Sequence, residues 1–299
     1  DCALTSNGHT SHFGSDESCR CRAQTGYAQN LPLREPRRLT GSTRFDPSLE
    51  EKGWKLSGFS DSHWEKAVIS PANLLQLPLM RQEIPEGIKK YRWTPSLLAQ
   101  ERNLAVYDAG EMLTGFVRVV CEGKKGTVLT LRYGELLEGE RNYHGQHESV
   151  KSVKTHPEHS ASNDRTETYL DEYVLTGNGR EVWEECFTYK AFRYFELTGT
   201  SGVVIHEIEV VKTGTALTPI GRFVCDDPLL NDMAQAFIRT QENALLGMLV
   251  DCPHREQAQY LGDSFLHMGR IDCAVPVSRP LPGLTRERAG PQELEAGRR

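Results

Sequence analysis

The chain has 299 residues, enough for about two domains at roughly 100–200 residues each, and its formal net charge is −6. No basic stripe marks it for nucleic acid, and no window approaches the roughly 18 apolar residues that a membrane-spanning helix needs. Hydrophobic residues make up 38%, which suits β-domains carrying long polar loops.

The eight cysteines lack the regular spacing of a disulfide framework, and Cys121 and Cys186 sit in strand-like runs, where a cysteine acts as a small buried hydrophobe. Free thiols in a reducing compartment are expected. With no signal peptide visible ahead of Asp1, the chain reads as cytoplasmic. Residues 1–30 are polar and aperiodic and read as a flexible N-terminal arm. Cys19-Arg20-Cys21 with His9 and His12 lacks the ligand-pair spacing of a zinc site, so no metal is expected there.

Residues 31–100 read as part of an accessory β-domain, with a linker near 80–100. Pro71, Pro78, Pro85 and Pro95 punctuate this region into short strands and edges. Trp54, Trp64 and Trp93 are candidates for stacking on sugar rings, although a tryptophan in a small β-domain more often serves its core. Residues 101–213 form the clearest β-domain. Phe116–Cys121 and Thr127–Tyr133 alternate around Gly123-Lys124-Lys125-Gly126, which reads as a hairpin. Asp171–Leu175, Glu181–Phe187, Phe192–Thr198 and Val203–Val211 continue the series, and short strands at this spacing suggest a β-sandwich. The intervening stretch 138–165 carries His144, His147, His156 and His159; Gly145 and Pro157 break it, so it reads as a solvated loop.

After Cys225 the apolar period changes from about 2 to about 3.6 residues. Asp227 suits an N-cap and Pro228 the first helical position. Leu230, Met233, Phe237, Gln241, Ala244 and Met248 follow at helical steps, so the pattern predicts an amphipathic helix over 227–249, opening a helical domain over 214–275. Residues 276–299 are rich in proline, glycine and arginine and read as an unstructured tail.

The densest chemistry follows that helix. Asp251-Cys252-Pro253-His254-Arg255-Glu256-Gln257-Ala258-Gln259-Tyr260-Leu261-Gly262-Asp263 gathers Asp251, Glu256 and Asp263 around Arg255 and His254. A carboxylic acid beside an ionised carboxylate is the minimal kit of glycoside hydrolysis, and inverting enzymes keep acid and base about 6.5–9.5 Å apart so that a water fits between them. Arg255 would hold a carboxylate by a forked pair, and His254 would bond a hydroxyl. The plainer alternative is a set of surface charges near a helix start, where acids favour the dipole. Cys252 and His254 alone make a poor metal site, since no third ligand accompanies them.

Asp251-Cys252-Pro253 with Arg255-Glu256, then Gly262-Asp263, resembles the signature of bacterial α-L-rhamnosidases, glycoside hydrolase family 78. The resemblance extends upstream through Val106-Tyr107-Asp108-Ala109-Gly110, Gly115-Phe116-Val117-Arg118 and Arg132-Tyr133-Gly134-Glu135-Leu136-Leu137. It continues through Asp171-Glu172-Tyr173, Phe187-Thr188-Tyr189 with Phe192-Arg193-Tyr194, and Asp226-Asp227-Pro228-Leu229-Leu230-Asn231. It implies a mainly β fold, with β-sandwich domains followed by the first helices of an incomplete (α/α)6 barrel. It also implies inverting hydrolysis of terminal α-L-rhamnose from a rhamnose-containing carbohydrate, without a cofactor. Glu256 would be the general acid, Asp251 and Asp263 would bind rhamnose hydroxyls, and Arg255 would orient the cluster. A complete barrel takes about twelve helices, on the order of 300 residues. The resemblance also implies that the catalytic base lies much later in the barrel, at a position this chain does not contain, so the chain is expected to be inactive at this length. A carbohydrate-binding β-sandwich module without catalysis, and a structural fragment without activity, stay open as alternatives.

Overall fold

The computed structural model describes residues 2–23, 25–28, 42–68, 85–137, 153–154, 170–185, 187–217, 222–254 and 257–265. The histidine-bearing stretch 138–165, apart from Val153–Lys154, and the tail 276–299 lie outside the described residues. The strands are β1 (Cys2–Ser6), β2 (His9–Phe13), β3 (Arg20–Cys21), β4 (Thr43–Phe45), β5 (Glu65–Lys66), β6 (Gly87–Trp93), β7 (Ser96–Glu101), β8 (Leu104–Glu122), β9 (Val128–Gly134), β10 (Leu136–Leu137), β11 (Val153–Lys154), β12 (Leu170–Val174), β13 (Glu181–Glu184), β14 (Lys190–Thr198) and β15 (Val204–Thr215), followed by helix α1 (Pro228–Ala244).

β1 and β2 pair as a hairpin within the stretch that reads as an aperiodic arm. Its turn is Asn7-Gly8, with φ of 51° and 78°. Positive φ at both central residues is the turn geometry whose twist fits an antiparallel pair, and Asn-Gly is its preferred sequence.

A nine-stranded sheet dominates the described residues, in the order β4-β12-β9-β14-β8-β15-β6, with β7 and β13 also on β8. β8 is the hinge of this sheet. Its first half pairs with β7 and β14, and its second half with β15 and β13. Between the halves the register with β14 shifts, and Gly110 adopts a φ of 88°. The bent strand thus serves two layers, β7-β8-β14-β9-β12-β4 and β13-β8-β15-β6. The layers meet in one core that includes Val117, Val119 and Cys121 of β8, Leu129 and Leu131 of β9, Phe195 of β14 and Val210 of β15. Trp183 of one layer stacks on Tyr173 of the other, with ring centroids 5.4 Å apart. Each fully buried Leu, Phe or Val contributes about 1.5–3 kcal/mol by leaving water, so this core holds the sandwich closed.

Two connections differ from the sequence expectation. β8 and β9 do not form a hairpin: β9 pairs with β12 and β14. Residues 123–127 arch from one layer to the other, because Leu175 captures their backbone. Gly126 N donates to Leu175 O at 2.8 Å, and Leu175 N donates to Thr127 O at 2.9 Å. The expected linker near 80–100 is also taken up by the sheet from residue 87 onward. β6 pairs with β15 and β7 with β8, and Pro85 and Pro95 fall just outside the strands.

Candidate functional site

Helix α1 carries the chain from the sandwich to the charged segment. Asp227 caps it, its carboxylate accepting from Leu229 N at 2.8 Å, and Pro228 opens the first turn. The helix stops at Ala244, short of the expected 249, where the end of β15 takes the carbonyl of the next residue, Leu245. Thr215 donates to Leu245 O through both N (3.1 Å) and Oγ1 (2.8 Å), and Gly247 N donates back to Thr215 Oγ1 at 2.9 Å. Gly247 turns the chain with a φ of 78°. Ala244, Leu245, Leu249 and Val250 then form a small apolar cluster.

Polar groups fix α1 to the sheet. Asn243 Oδ1 accepts from Thr114 N (3.2 Å) and its Nδ2 donates to Met112 O (2.9 Å). Glu242 lies 3.0 Å from Lys90 Nζ and 3.5 Å from that of Lys212, whose other partner is Glu111 at 2.9 Å. Lys90 and Lys212 are largely shielded from water, so these pairs count for more than surface ion pairs do.

The segment beyond closes on itself. Asp251 N donates to Ala258 O (2.9 Å), and Ala258 N donates back to Asp251 Oδ1 (3.1 Å). Cys252 Sγ donates to Asp251 Oδ2 at 3.0 Å. Gln257, fully buried, donates from N to Cys252 O (3.2 Å) and from Nε2 to Pro253 O (2.8 Å). Its φ of 54° is the left-handed conformation that closes the turn. Both oxygens of Asp251 thus accept from the loop's own donors, so this carboxylate staples the turn.

His254 is not aimed at solvent, as a sugar-bonding role for it would suggest. It is buried, with Nδ1 3.3 Å from Oε1 of Glu135 in the β9–β10 turn. Tyr189, just before β14, approaches from the sheet as well. Burial pushes its phenol up to about 12, and the nearby Cys252 and Asp251 add to the rise. Asp263 is exposed on a helical turn over residues 261–265, whose Ser264 is buried. Arg255 and Glu256 lie outside the described residues. Among the described residues the structure gathers Asp251, Cys252, His254 and Gln257 with Glu135 and Tyr189. The last two carry no signal of a site role in the sequence, since their partners lie more than sixty residues away. Trp93 proves to be a core residue, packed on the sandwich with Nε1 donating to Ala109 O. Trp54 and Trp64 pair with each other, with ring centroids 6.4 Å apart.

Two family models match this arrangement in chain order. The bacterial α-L-rhamnosidase concanavalin-like domain matches residues 99–213, which hold most of the sandwich. The bacterial α-L-rhamnosidase 6 hairpin glycosidase domain matches residues 218–287, which hold α1 and the stapled loop. The chain belongs to the bacterial α-L-rhamnosidase family. An α-L-rhamnosidase of Formosa agariphila is 26% identical over 228 residues, covering 76% of this chain and 23% of the relative. The solved α-L-rhamnosidase of Dictyoglumus thermophilum superposes with a TM-score of 0.74 at 26% identity, covering 90% of this chain and 28% of that one. A Streptomyces avermitilis α-L-rhamnosidase complexed with L-rhamnose shares the fold, with a TM-score of 0.58 at 24% identity over 72% of this chain and 19% of that one. The chain thus spans about a quarter of the length of such relatives.

Proposed function

We propose that this chain carries the sugar-recognising, acid-donating part of an inverting α-L-rhamnosidase acting on terminal α-L-rhamnose of glycans or glycosides. Glu256 is the general acid, Asp251, Arg255 and Asp263 form the sugar-binding set, and the catalytic base lies outside these residues. The observation that carries the reading is the stapled 251–258 loop, seated on the sandwich inside the region that matches the glycosidase domain. A general acid has to be held protonated, by burial or by a like charge nearby. An acid without its base gives no catalytic cycle, so this length of chain binds rhamnose without turning it over.

Two measurements test this. Calorimetry with L-rhamnose should show binding that Asp263→Ala weakens; no heat at millimolar sugar counts against the recognition half. Nitrophenyl α-L-rhamnoside should release no more nitrophenol with the unaltered chain than with Glu256→Gln. Turnover above that control would overturn the proposed absence of a base.

A further inference from the structure

The two layers of the sandwich leave a cleft of about 580 Å³ between them. Its floor is apolar and comes from both layers, with Tyr107 of β8 and Leu197 of β14 from one, and Ile205 and Ile208 of β15 from the other. Its rim is polar. Gln100 of β7 and Arg102 just beyond it line the rim, and neither side chain has a partner among the described residues. Asn103 Oδ1 accepts from Ser201 N at 3.1 Å, which ties the segment bearing Arg102 to the β14–β15 turn. Tyr107 stacks on Phe195, with ring centroids 5.0 Å apart. Burial raises its phenol, yet its hydroxyl bonds to no other described residue. A shielded tyrosine hydroxyl usually has such a partner.

The backbone contributes as well. β15 pairs with β8 over Val204–Lys212 but with β6 only over Val210–Thr215. Among the described residues, 204–209 are therefore a strand edge on their other side, and such an edge presents unpaired N–H and C=O groups.

We propose that this cleft is a second saccharide-binding site, taking a neutral mono- or disaccharide. Its volume falls in the range of about 300–1,000 Å³ typical of small-molecule sites. A pyranose is apolar across its C–H faces and carries hydroxyls around its edge, which suits an apolar floor ringed by unused donors and acceptors. A wholly apolar ligand would leave the Tyr107 hydroxyl and the β15 edge unmatched. An anion would meet Glu207 and Glu209, which line the same cleft as Arg102. An added peptide strand needs a regular ladder, and this edge is bulged at His206, which has no counterpart on β8. None of the lining residues belongs to 251–263, so the site goes beyond the proposed function and can fail or hold apart from it.

The test follows hydrogen exchange in the full chain over residues 203–209, 249–261 and 128–133 of the core. The probes are rutinose, a neutral disaccharide, and digalacturonate, an acidic one. Millimolar rutinose should slow exchange over 203–209, where the open edge lies. Tyr107→Phe keeps the ring on Phe195 and removes only the hydroxyl, so the rutinose concentration needed should rise about three- to tenfold, as for one lost hydrogen bond. Arg102→Ala, at an exposed position without a partner, should raise it by about as much or more. Exchange over 128–133 without sugar should match the unaltered chain in both variants; if Tyr107→Phe speeds it, Arg102→Ala alone decides. Three outcomes would overturn the proposal: no slowing over 203–209 with rutinose, slowing that the variants leave intact, or slowing with digalacturonate but not with rutinose. Slowing over 249–261 alone would support the proposed rhamnose site and overturn this one. Slowing confined to 203–209 would uphold the cleft site even where the rhamnose site fails.

Discussion

Lys190 and Asp171 show how single residues hold this sandwich together. Their side chains are 1% and 0% exposed, with Nζ 2.9 Å from Oδ1. Thr43 donates to the same Oδ1 from N and Oγ1, tying β4 to the pair, and Lys190 also donates to Thr188. Replacing Lys190 with Met leaves a buried carboxylate without its cation, at an expected cost of about 3–5 kcal/mol. Urea unfolding reads this directly, and adding Asp171→Leu should restore most of the loss, because a well-packed apolar pair escapes the desolvation penalty. An unchanged urea midpoint for Lys190→Met would show the pair to be dispensable. Little of this was legible in the sequence. Alternation puts Asp171 on the same face as Tyr173, but nothing local reveals that the face is dry or that Lys190 and Thr43 meet there. The same limit hid Glu135 and Tyr189. The ionisable residues of 251–263 stood out by density, whereas their partners on the sheet are ordinary strand-end residues until the fold brings them close.

At the level of elements, periodicity located the strands well and their neighbours poorly. β9, β12, β14 and β15 lie close to where alternation and turns placed them, but β8 begins at Leu104, well before the expected Phe116–Cys121, and β8 and β9 arch across the core without pairing. A short glycine-bearing connection between alternating runs fits a hairpin and an arch equally; which one forms depends on whether distant Leu175 takes the loop's backbone. The end of α1 shows the same dependence, since the apolar stripe continues to Met248 while Thr215 stops the helix at Ala244. Gly115 gives the element-level prediction. It lies in β8 where Lys190 and Lys212 flank it, and a Cβ there would meet Val211 O at 2.0 Å. The obstacle is backbone at the centre of the sheet, so it cannot swing aside. Gly115→Ala should destabilise by about 1–3 kcal/mol or more, seen as a lower thermal midpoint. Gly87→Ala is the control, since a Cβ there meets nothing within 4 Å. If both variants melt together with the unaltered chain, β8 is looser than its packing implies.

For the molecule as a whole, the sequence pattern implied a sandwich followed by helical structure, because one apolar period replaces the other near Cys225. What it could not convey is how the helix is shared between neighbours. The C-terminal part of α1 is committed to the sheet, with Gln241, Asn243 and Ala244 buried and Asn243 bonded to β8 at Met112 and Thr114. Its beginning is not, with Leu229, Leu230 and Met233 64%, 45% and 59% exposed. Apolar side chains grouped on one exposed face favour association over solvation. The 299-residue chain should therefore bind a hydrophobic dye and elute from size exclusion at a concentration-dependent volume. Leu230→Gln with Met233→Gln should lower the dye signal and shift elution toward the monomer. The thermal midpoint should stay nearly constant, because neither side chain supports the core and exposed substitutions typically change stability by under about 0.5 kcal/mol. A sharp monomer peak without dye binding from the unaltered chain would mean that this face is satisfied within the chain itself. A fall in the midpoint of the double variant would say the same, since it would show that Leu230 and Met233 pack on structure that their exposure denies.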